Sequence, residues 1–548
     1  YAGSLSNCTL TGNWAHDNGG GAAWATLKNC VLSGNVASNG GGTKGGALIQ
    51  CTVSGNSASC HGGGSYDSRL YDCTLSGNSA FSNGGGSAYG SLVNCTNRGN
   101  TAGYNGGGVF DAALTNCTIL GNTAGRDGGG TFWNKLTACA ITSNQAIGGV
   151  GGGSFESACN GCTFTANRSW VGGGAYNAVL HDCVLSGNAA TNDGGGNFFG
   201  TLNNCLLTNN QAYNGGGSSY STLINCTITV NRASYGGGAY RDTLSNCTLM
   251  GNTASIGGGS FLGTLRDCTI TANRATAWGG GSCSSVCDGC TFTANISSSN
   301  GGGAAYSQLT NCILAGNLAT NEGGGAYYDS LYNCRLVSNS AYHGGGAAHG
   351  TLFQCHLSGN FARRDGGAMA YAFARYCTLA SNGAASSGGG SLYEYLDTCK
   401  LFGNTATVYG GGSYLSNLSN CTVAGNSAGA ASGGAHGGDS INCIVYFNTA
   451  PASANWVNVT FQYSCTMPLP GGPGNITNEP RLMALAAGNF HLRSDSPCIN
   501  HGNNGFATGA VDLDGKRRLV GGTVDMGAYE YQGYWGWSSA ITNGLTNY

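Results

Sequence analysis

The chain has 548 residues, too many for one ordinary globular domain unless the chain is an array of repeats. Charged residues make up only 8% of it and the formal net charge is −2, so the composition offers no basic excess for nucleic acid and no cationic segment for a membrane surface. No run of about 18 apolar residues occurs, so we expect no membrane span. The chain starts at Tyr1 without an apolar leader, from which we expect a processed N-terminus.

A cysteine recurs every 21 to 23 residues from Cys8 to Cys443, in 21 copies, and Cys465 lies one step further in a degenerate coil. Asn stands five residues after each of the 21 cysteines, and Leu three residues before 17 of them. A glycine triplet ends nine residues before the next cysteine in 18 copies, so only the segment between Asn and the glycines varies in length, which is typical of a surface turn. The first members of the two series are Cys8, Cys30, Cys51, Cys73, Cys95 and Cys117, and Asn13, Asn35, Asn56, Asn78, Asn100 and Asn122.

The segment around each cysteine alternates apolar and polar residues, as in Cys-Thr-Leu-Thr, which is the period of a strand with one buried face. A unit of this size cannot bury its own apolar face and must stack on its neighbours. The sequence therefore predicts an all-β, right-handed parallel β-helix of about 21 to 22 coils of about 22 residues, with Cys, Asn and Gly ladders.

Each ladder has a predicted structural role. The Asn tolerates left-handed backbone and can bond to the coils above and below, while the glycines permit left-handed or tightly bent backbone. Parallel Cβ vectors keep stacked cysteines too far apart for an ordinary disulfide, so we expect mostly buried thiols, with disulfides between coils as the open alternative. The Cys-x-x-Cys pairs, Cys159/Cys162 and Cys287/Cys290, lie six coils apart and cannot share a zinc ion.

Aromatic residues are common two or three positions after the glycine triplet. Because neighbouring residues of a strand face opposite sides, we expect one row of rings in the core and another at the surface, where it would contact sugars or another protein. This candidate binding stripe comprises Tyr66, Tyr89, Tyr176, Tyr220, Tyr240, Tyr306 and Tyr414.

Acidic residues fall near the variable turn and before the conserved Leu. In the second group, Asp67, Asp111 and Glu156 are spaced two coils apart, within the range of an inverting glycosidase pair, but no His or Arg cluster accompanies them. The repeat is also uniform, without a distinctive coil, so we expect no enzymatic activity, with polysaccharide cleavage as the weaker alternative.

The run Thr-Phe-Thr-Ala-Asn at Thr163 to Asn167, repeated at Thr291 to Asn295 and followed by glycines, resembles the repeats of chlamydial polymorphic outer-membrane proteins. The likeness covers residues 1 to about 450 and implies a parallel β-helix displayed at a bacterial surface. All six prolines lie between Pro451 and Pro497, so a different region begins near residue 450.

Motifs in that region resemble the choice-of-anchor Q domain, namely Asn489-Phe-His-Leu, Ser496-Pro-Cys-Ile-Asn, Asp512-Leu-Asp-Gly and Val524-Asp-Met-Gly-Ala-Tyr-Glu. The resemblance implies a secreted bacterial protein whose residues 451–533 form a domain that caps the β-helix of residues 1–450, followed by a tail at 534–548. We expect no cofactor; Asp512 and Asp514 offer a weak alternative as calcium ligands, against an ordinary Asp-Gly turn.

The first coil begins almost at Tyr1, and an uncovered coil exposes unpaired strand edges. A contact between such an edge and another copy is head to tail and propagates. We therefore expect an extracellular or cell-surface structural protein that associates with itself into filaments. The alternative is a surface adhesin that binds polysaccharide through the aromatic stripe.

Overall fold

The structure is a computed structural model that describes residues 3–533; the expected tail at 534–548 lies outside them. It is an all-β parallel β-solenoid, as the sequence predicts, and it comprises two units, Tyr1–Ile296 and Ser297–Tyr548. None of the described helices is long and apolar enough to cross a membrane.

A coil of the first unit contains four short strands that pair in register with the same strands of the next coil, as Thr96 does with Thr118. In the coil that starts at Cys95, the strands are Thr96–Arg98, Thr101–Ala102, Val109–Phe110 and Ala113–Thr115. Left-handed residues turn the chain at the corners of this coil, namely Gly99, Gly106, Asp111 and Asn116.

A coil of the second unit has the same plan. In the coil that starts at Cys312, the strands are Ile313–Ala315, Leu318–Ala319, Ala326–Tyr327 and Ser330–Tyr332. The corner residues of this coil are Gly316, Gly323, Tyr328 and Asn333.

The ladder asparagines from Asn35 to Asn448 are buried, and they join successive coils through their amides. Oδ1 of Asn122 accepts both the backbone N–H of Asn100, at 2.9 Å, and its Nδ2, at 3.0 Å. This confirms the predicted ladder, but the left-handed residue is Gly99 or Gly121, one position before each Asn. The expectation that Asn itself adopts this conformation is therefore wrong, because its side chain can point inward only from the position after the bend.

The ladder cysteines perform a similar task at another corner. The backbone N–H of Cys51 points at Sγ of Cys73, at 3.4 Å, and that thiol lies 3.2 Å from the carbonyl oxygen of Tyr71. Each thiol is thus an acceptor for the coil before it as well as a small core residue. The buried stack of cysteines is confirmed.

The glycine triplets form the corner after the variable turn. Gly84, the first of one triplet, has φ of +69°, and a Cβ on Gly85 would collide with the carbonyl oxygens of Thr101 and Gly107. The third glycine, Gly86, lies against the amide of Asn97. Both predicted reasons for glycine, left-handed backbone and close approach, are present.

In the second unit the parallel pairing continues beyond residue 450, through Trp456–Val457, Thr460–Gln462 and Cys465–Thr466. The next segment covers the edge of this last coil, because Thr466 donates its N–H to Ile476 and Ser464 donates its N–H to Asn475.

The remainder of the described chain packs against the side of earlier coils. Its elements are the antiparallel strands Leu482–Ala484 and Asn489–Leu492 and the 3-10 helices Leu485–Ala487 and Asn504–Phe506. Phe490 and Tyr529 pack with Ala424, while Cys498 and Met526 pack with Ile444.

Candidate functional site

A row of outward side chains follows the ladder asparagines of the first unit. The position directly after Asn faces solvent, the next is buried, and the third faces solvent again, as Arg168, Ser169 and Trp170 show. Register pairs connect this first position from coil to coil. The row reads Gln145, Arg168, Ala189, Gln211, Arg232, Thr253 and Arg274.

Two depressions lie along this row on consecutive coils, and we name them together the arginine groove. The first has a volume of about 670 Å³, and its lining includes Gln145, Arg168, Trp170, Gln211 and Tyr213. The second has a volume of about 310 Å³, and its lining includes Arg232, Thr253, Arg274 and Thr276.

The groove arises because large and small side chains alternate. Trp170 and Tyr213 are 54% and 51% exposed and lie two coils apart, with Thr191 between them. Successive strands are about 4.8 Å apart, so these two rings are about 10 Å apart along the coils and do not cover each other. Tyr213 meets Tyr235 at a centroid distance of 5.6 Å and an interplanar angle of 67°, so the two rings are not stacked face to face. Exposed rings at this spacing provide surfaces on which a flat apolar ligand face can stack.

The three arginines of the groove are exposed and available to a ligand. Within the described residues, Arg168, Arg232 and Arg274 make neither an ion pair nor a side-chain hydrogen bond. No described lining residue of either depression is Asp, Glu or His. The groove therefore combines uncompensated positive charge with exposed aromatic surface.

The sequence analysis missed this groove, although a signal was present. Arg directly follows the ladder Asn in three coils, at Arg168, Arg232 and Arg274. These arginines are not near the acidic positions of the repeat, so they stand out only when the residue after each ladder Asn is compared from coil to coil.

The predicted aromatic stripe consists of two neighbouring rows. Tyr176, Tyr240 and Tyr414 end short strands, and Tyr66 has the equivalent position within the longer strand Ser65–Tyr71. Tyr89, Tyr220 and Tyr306 occupy the left-handed position that follows. The strand-end row is buried or half-buried within its own stack, since Phe110 and Phe132 are each 6% exposed and form a buried cluster with Ala88. The corner row is more exposed, as Tyr220 and Tyr306 show.

In these rows the rings are largely occupied by one another. Phe132 stacks on Phe155 at 4.5 Å with an interplanar angle of 4°. In the second unit, His349 lies nearly parallel to Tyr328 at 4.8 Å and to Tyr371 at 5.0 Å. Rings stacked in this way cover each other's faces, so the stripe offers a ligand fewer open faces than the groove does.

The acids before the conserved Leu occupy two positions rather than one. The exposed ones, at the left-handed corner, are Asp67, Asp111 and Glu156. The buried ones, one residue further, are Asp242, Asp329 and Glu394, and burial raises the pKa of each carboxyl. The prediction that these acids share one position of the repeat is therefore wrong, because the corner residue faces solvent and the residue after it faces the interior of the coil.

In the second unit, a histidine lies between two acids at one register position. His343 pairs with Glu322 on one side and with Asp365 on the other. Nδ1 of His343 is 3.8 Å from Oδ2 of Asp365, and Nε2 of His349 is 3.3 Å from Oε2 of Glu322. Burial lowers the pKa of His343, which favours the neutral imidazole. Acidic positions alone do not reveal this cluster, because a histidine separates the two acids.

Asp512 and Asp514 form a turn stabilised by their own neighbours. The Asp512 carboxylate accepts the backbone N–H groups of Asp514, Lys516 and Glu530 at 2.9 to 3.0 Å. Asp514 accepts from Nε2 of His491 at 2.6 Å. These oxygens face hydrogen-bond donors, which does not fit a calcium site. No group of three His, Cys, Asp or Glu within residues 3–533 is placed to hold a metal ion.

No protein-family model matches the sequence, and no curated protein matches it. The family resemblances of the repeats and of the C-terminal region therefore stay predictions. Among solved structures, the chain is similar to a mannuronic acid-specific polysaccharide family 6 lyase from human gut microbiota, with 8% identity over 64% of this chain and 86% of that one and a TM-score of 0.24.

It is also similar to the pectate lyase Pel9A, with 13% identity over 74% of this chain and 88% of that one and a TM-score of 0.21. A third similar structure is the Dettilon tailspike protein, with 12% identity over 68% of this chain and 60% of that one and a TM-score of 0.18. Values this low support no transfer of function.

Proposed function

We propose that the protein binds an extended polysaccharide in the arginine groove of its first unit. The observation that carries this proposal is the pair of exposed rings, Trp170 and Tyr213, two coils apart on the rim of a depression that follows the coils. Sugar rings have an apolar face that stacks on aromatic side chains, and their hydroxyl groups bond to amides such as Gln145 and Gln211.

The repeat favours a polymer as the ligand. Equivalent outward positions recur every coil, about 4.8 Å apart, so one kind of contact is offered many times along a line. A chain of similar sugars uses such a line fully, whereas a small molecule uses one coil. This is the carbohydrate-binding alternative that the sequence predicts, moved from the aromatic stripe to the groove.

Binding without cleavage is the activity that we propose for the groove, because its lining offers no carboxylate or imidazole for acid-base chemistry. The absence of enzymatic activity and the extracellular location stay predictions. Filament formation stays a prediction too; at the C-terminal edge it would require another copy to displace the contacts of Asn475 and Ile476.

Affinity electrophoresis of the full chain in gels that contain single polysaccharides tests the proposal. We expect retardation by at least one polymer, and a loss of about tenfold in affinity for Trp170→Ala or Tyr213→Ala. Phe81→Ala is the matched control, because Phe81 occupies the same position relative to its ladder Asn, is 68% exposed and lies outside the groove. Unchanged mobility across the panel, or equal retardation of all three variants, would contradict the proposal.

A further inference from the structure

We propose that the ligand of the arginine groove is an anionic polysaccharide, and that Arg168, Arg232 and Arg274 recognise its carboxylate or sulfate groups. This inference rests on the proposed function and specifies the chemical class of the polymer. It starts from the three guanidinium groups, which make neither an ion pair nor a side-chain hydrogen bond with the described residues. A planar guanidinium binds a carboxylate or sulfate through two parallel hydrogen bonds, which makes arginine the side chain suited to such groups.

The charge of the groove is local. The chain as a whole carries a formal net charge of −2, yet the lining of both depressions contains three arginines and, among its described residues, no Asp or Glu. A neutral polymer gains nothing from this concentration of positive charge. An anionic polymer is attracted to it and gains charge-assisted hydrogen bonds.

The spacing of the arginines fits a ligand that carries charge repeatedly. Arg168 and Arg232 are three register steps apart, and Arg232 and Arg274 are two steps apart, which corresponds to about 14 Å and about 10 Å. A single anionic group spans neither distance. A polymer with an acidic group on every sugar presents one near each arginine, while Gln211 and Thr253 between them contact its hydroxyl groups.

A nucleic acid is a different polyanion, and the structure favours it less. Nucleic-acid-binding domains carry an overall basic excess, whereas this chain has 21 Lys and Arg against 23 Asp and Glu. Only three arginines line the groove, too few for the dense row of phosphates on a nucleic acid.

The test measures binding of the full chain to polygalacturonate, alginate, dextran sulfate, dextran and a single-stranded oligonucleotide. We expect a polyuronate or dextran sulfate to bind at least tenfold more tightly than dextran, and this binding to weaken as salt is raised. The variant Arg168→Gln/Arg232→Gln/Arg274→Gln should lose at least tenfold in affinity, and the triple Arg→Lys variant should recover part of it. Comparison of the affinities for the two polyuronates and for dextran sulfate shows whether carboxylate or sulfate is recognised.

Arg266→Gln is the control, because Arg266 is exposed on another strand, Thr264–Arg266, and should bind like the parent. Circular dichroism melting confirms that each variant folds. If dextran binds as tightly as the acidic polymers, or the Gln variant keeps its affinity for them, the inference is wrong. Loss of dextran binding in Trp170→Ala would then leave the proposed function standing. If no polysaccharide binds, both fail, and a preference for the oligonucleotide overturns both in favour of nucleic acid.

Discussion

At the residue scale, side chains of different chemistry perform one task at successive corners. At three of the four corners, the backbone N–H after the left-handed residue bonds to a side chain of the following coil: Oδ1 of Asn, Sγ of Cys, or an oxygen of Ser, Asn or Asp. At the glycine corner it bonds to a backbone carbonyl instead, as Gly107 does to Gly128. A buried N–H without an acceptor is costly. This requirement explains why the ladder positions tolerate so little variation along the chain.

Removal of one ladder amide should be strongly destabilising. Oδ1 of Asn210 accepts two bonds from Asn188, at 2.9 and 3.0 Å, and its Nδ2 donates to the carbonyl of Leu185. Asn210→Ala leaves these groups without hydrogen-bond partners, and we expect it to lower the free energy of unfolding by about 2–4 kcal/mol. The checks are the melting temperature and amide exchange at Asn188. Asn13→Ala, on an exposed ladder side chain, should cost far less; equal effects would contradict the ladder account.

Asp242 should make stability depend on pH. Its carboxyl accepts the N–H of Ser221 at 2.6 Å, and burial raises its pKa well above the ordinary value. Because the folded pKa is above the unfolded one, this favourable contribution is complete below about pH 4 and is lost as pH rises toward the folded pKa.

Asp242→Asn removes the ionisable group and retains a side chain that another coil uses at this position, Asn134. Relative to the variant, the parent should lose up to about 1.4 kcal/mol per pH unit as the pH rises above about 4, until the folded pKa is reached. Denaturant midpoints measured over a series of pH values from about 4 upward give this difference. Asp267→Asn, at an exposed site, serves as the control; a similar pH dependence in it would argue against burial as the cause.

At the element scale, the strands are only two to seven residues long, so the corners determine which residues face outward. The strand after the ladder Asn alternates exposed and buried residues, and this places Arg168 and Trp170 on the same face. A left-handed residue follows the strand after the glycines, and there the ring at the strand end is packed in a stack, as Phe110 and Phe132 are, while the ring at the corner is more exposed, as Tyr220 is. The period of a strand therefore predicts side-chain direction within an element but not across its corner.

The middle glycine of a triplet should not tolerate a side chain. A Cβ on Gly173 would collide with the carbonyl oxygens of Ala189 and Gly195, which are backbone atoms that cannot yield. We expect Gly173→Ala to lower the melting temperature or to yield insoluble protein. Gly187→Asn is the matched control, because Gly187 has φ of +64° and open space, and Asn209 already occupies that corner in the next coil. Equal tolerance of the two changes would refute the close-approach explanation.

At the scale of the whole molecule, the 27 cysteines should behave as protected thiols. All of them except Cys8 and Cys60 are buried, so a reagent in solvent reaches few of the sulfur atoms while the protein is folded. Titration of native protein with a thiol reagent should label few groups, and titration after denaturation without reductant should label about 27. Few thiols after denaturation would support disulfides between coils instead.

The sequence by itself determines the coil, because period, burial and the need to satisfy each corner N–H act on every repeat alike. The positions of Cys, Asn and Gly therefore predict strands, ladders and bends directly. The tertiary structure decides which side chains are exposed on the outer surface of the coils. Their exposure depends on the left-handed residue at each corner and on which residues of different coils lie side by side. Arg168, Arg232 and Arg274 are 42 to 106 residues apart in sequence across their pairs, and only stacking in register places them in one groove.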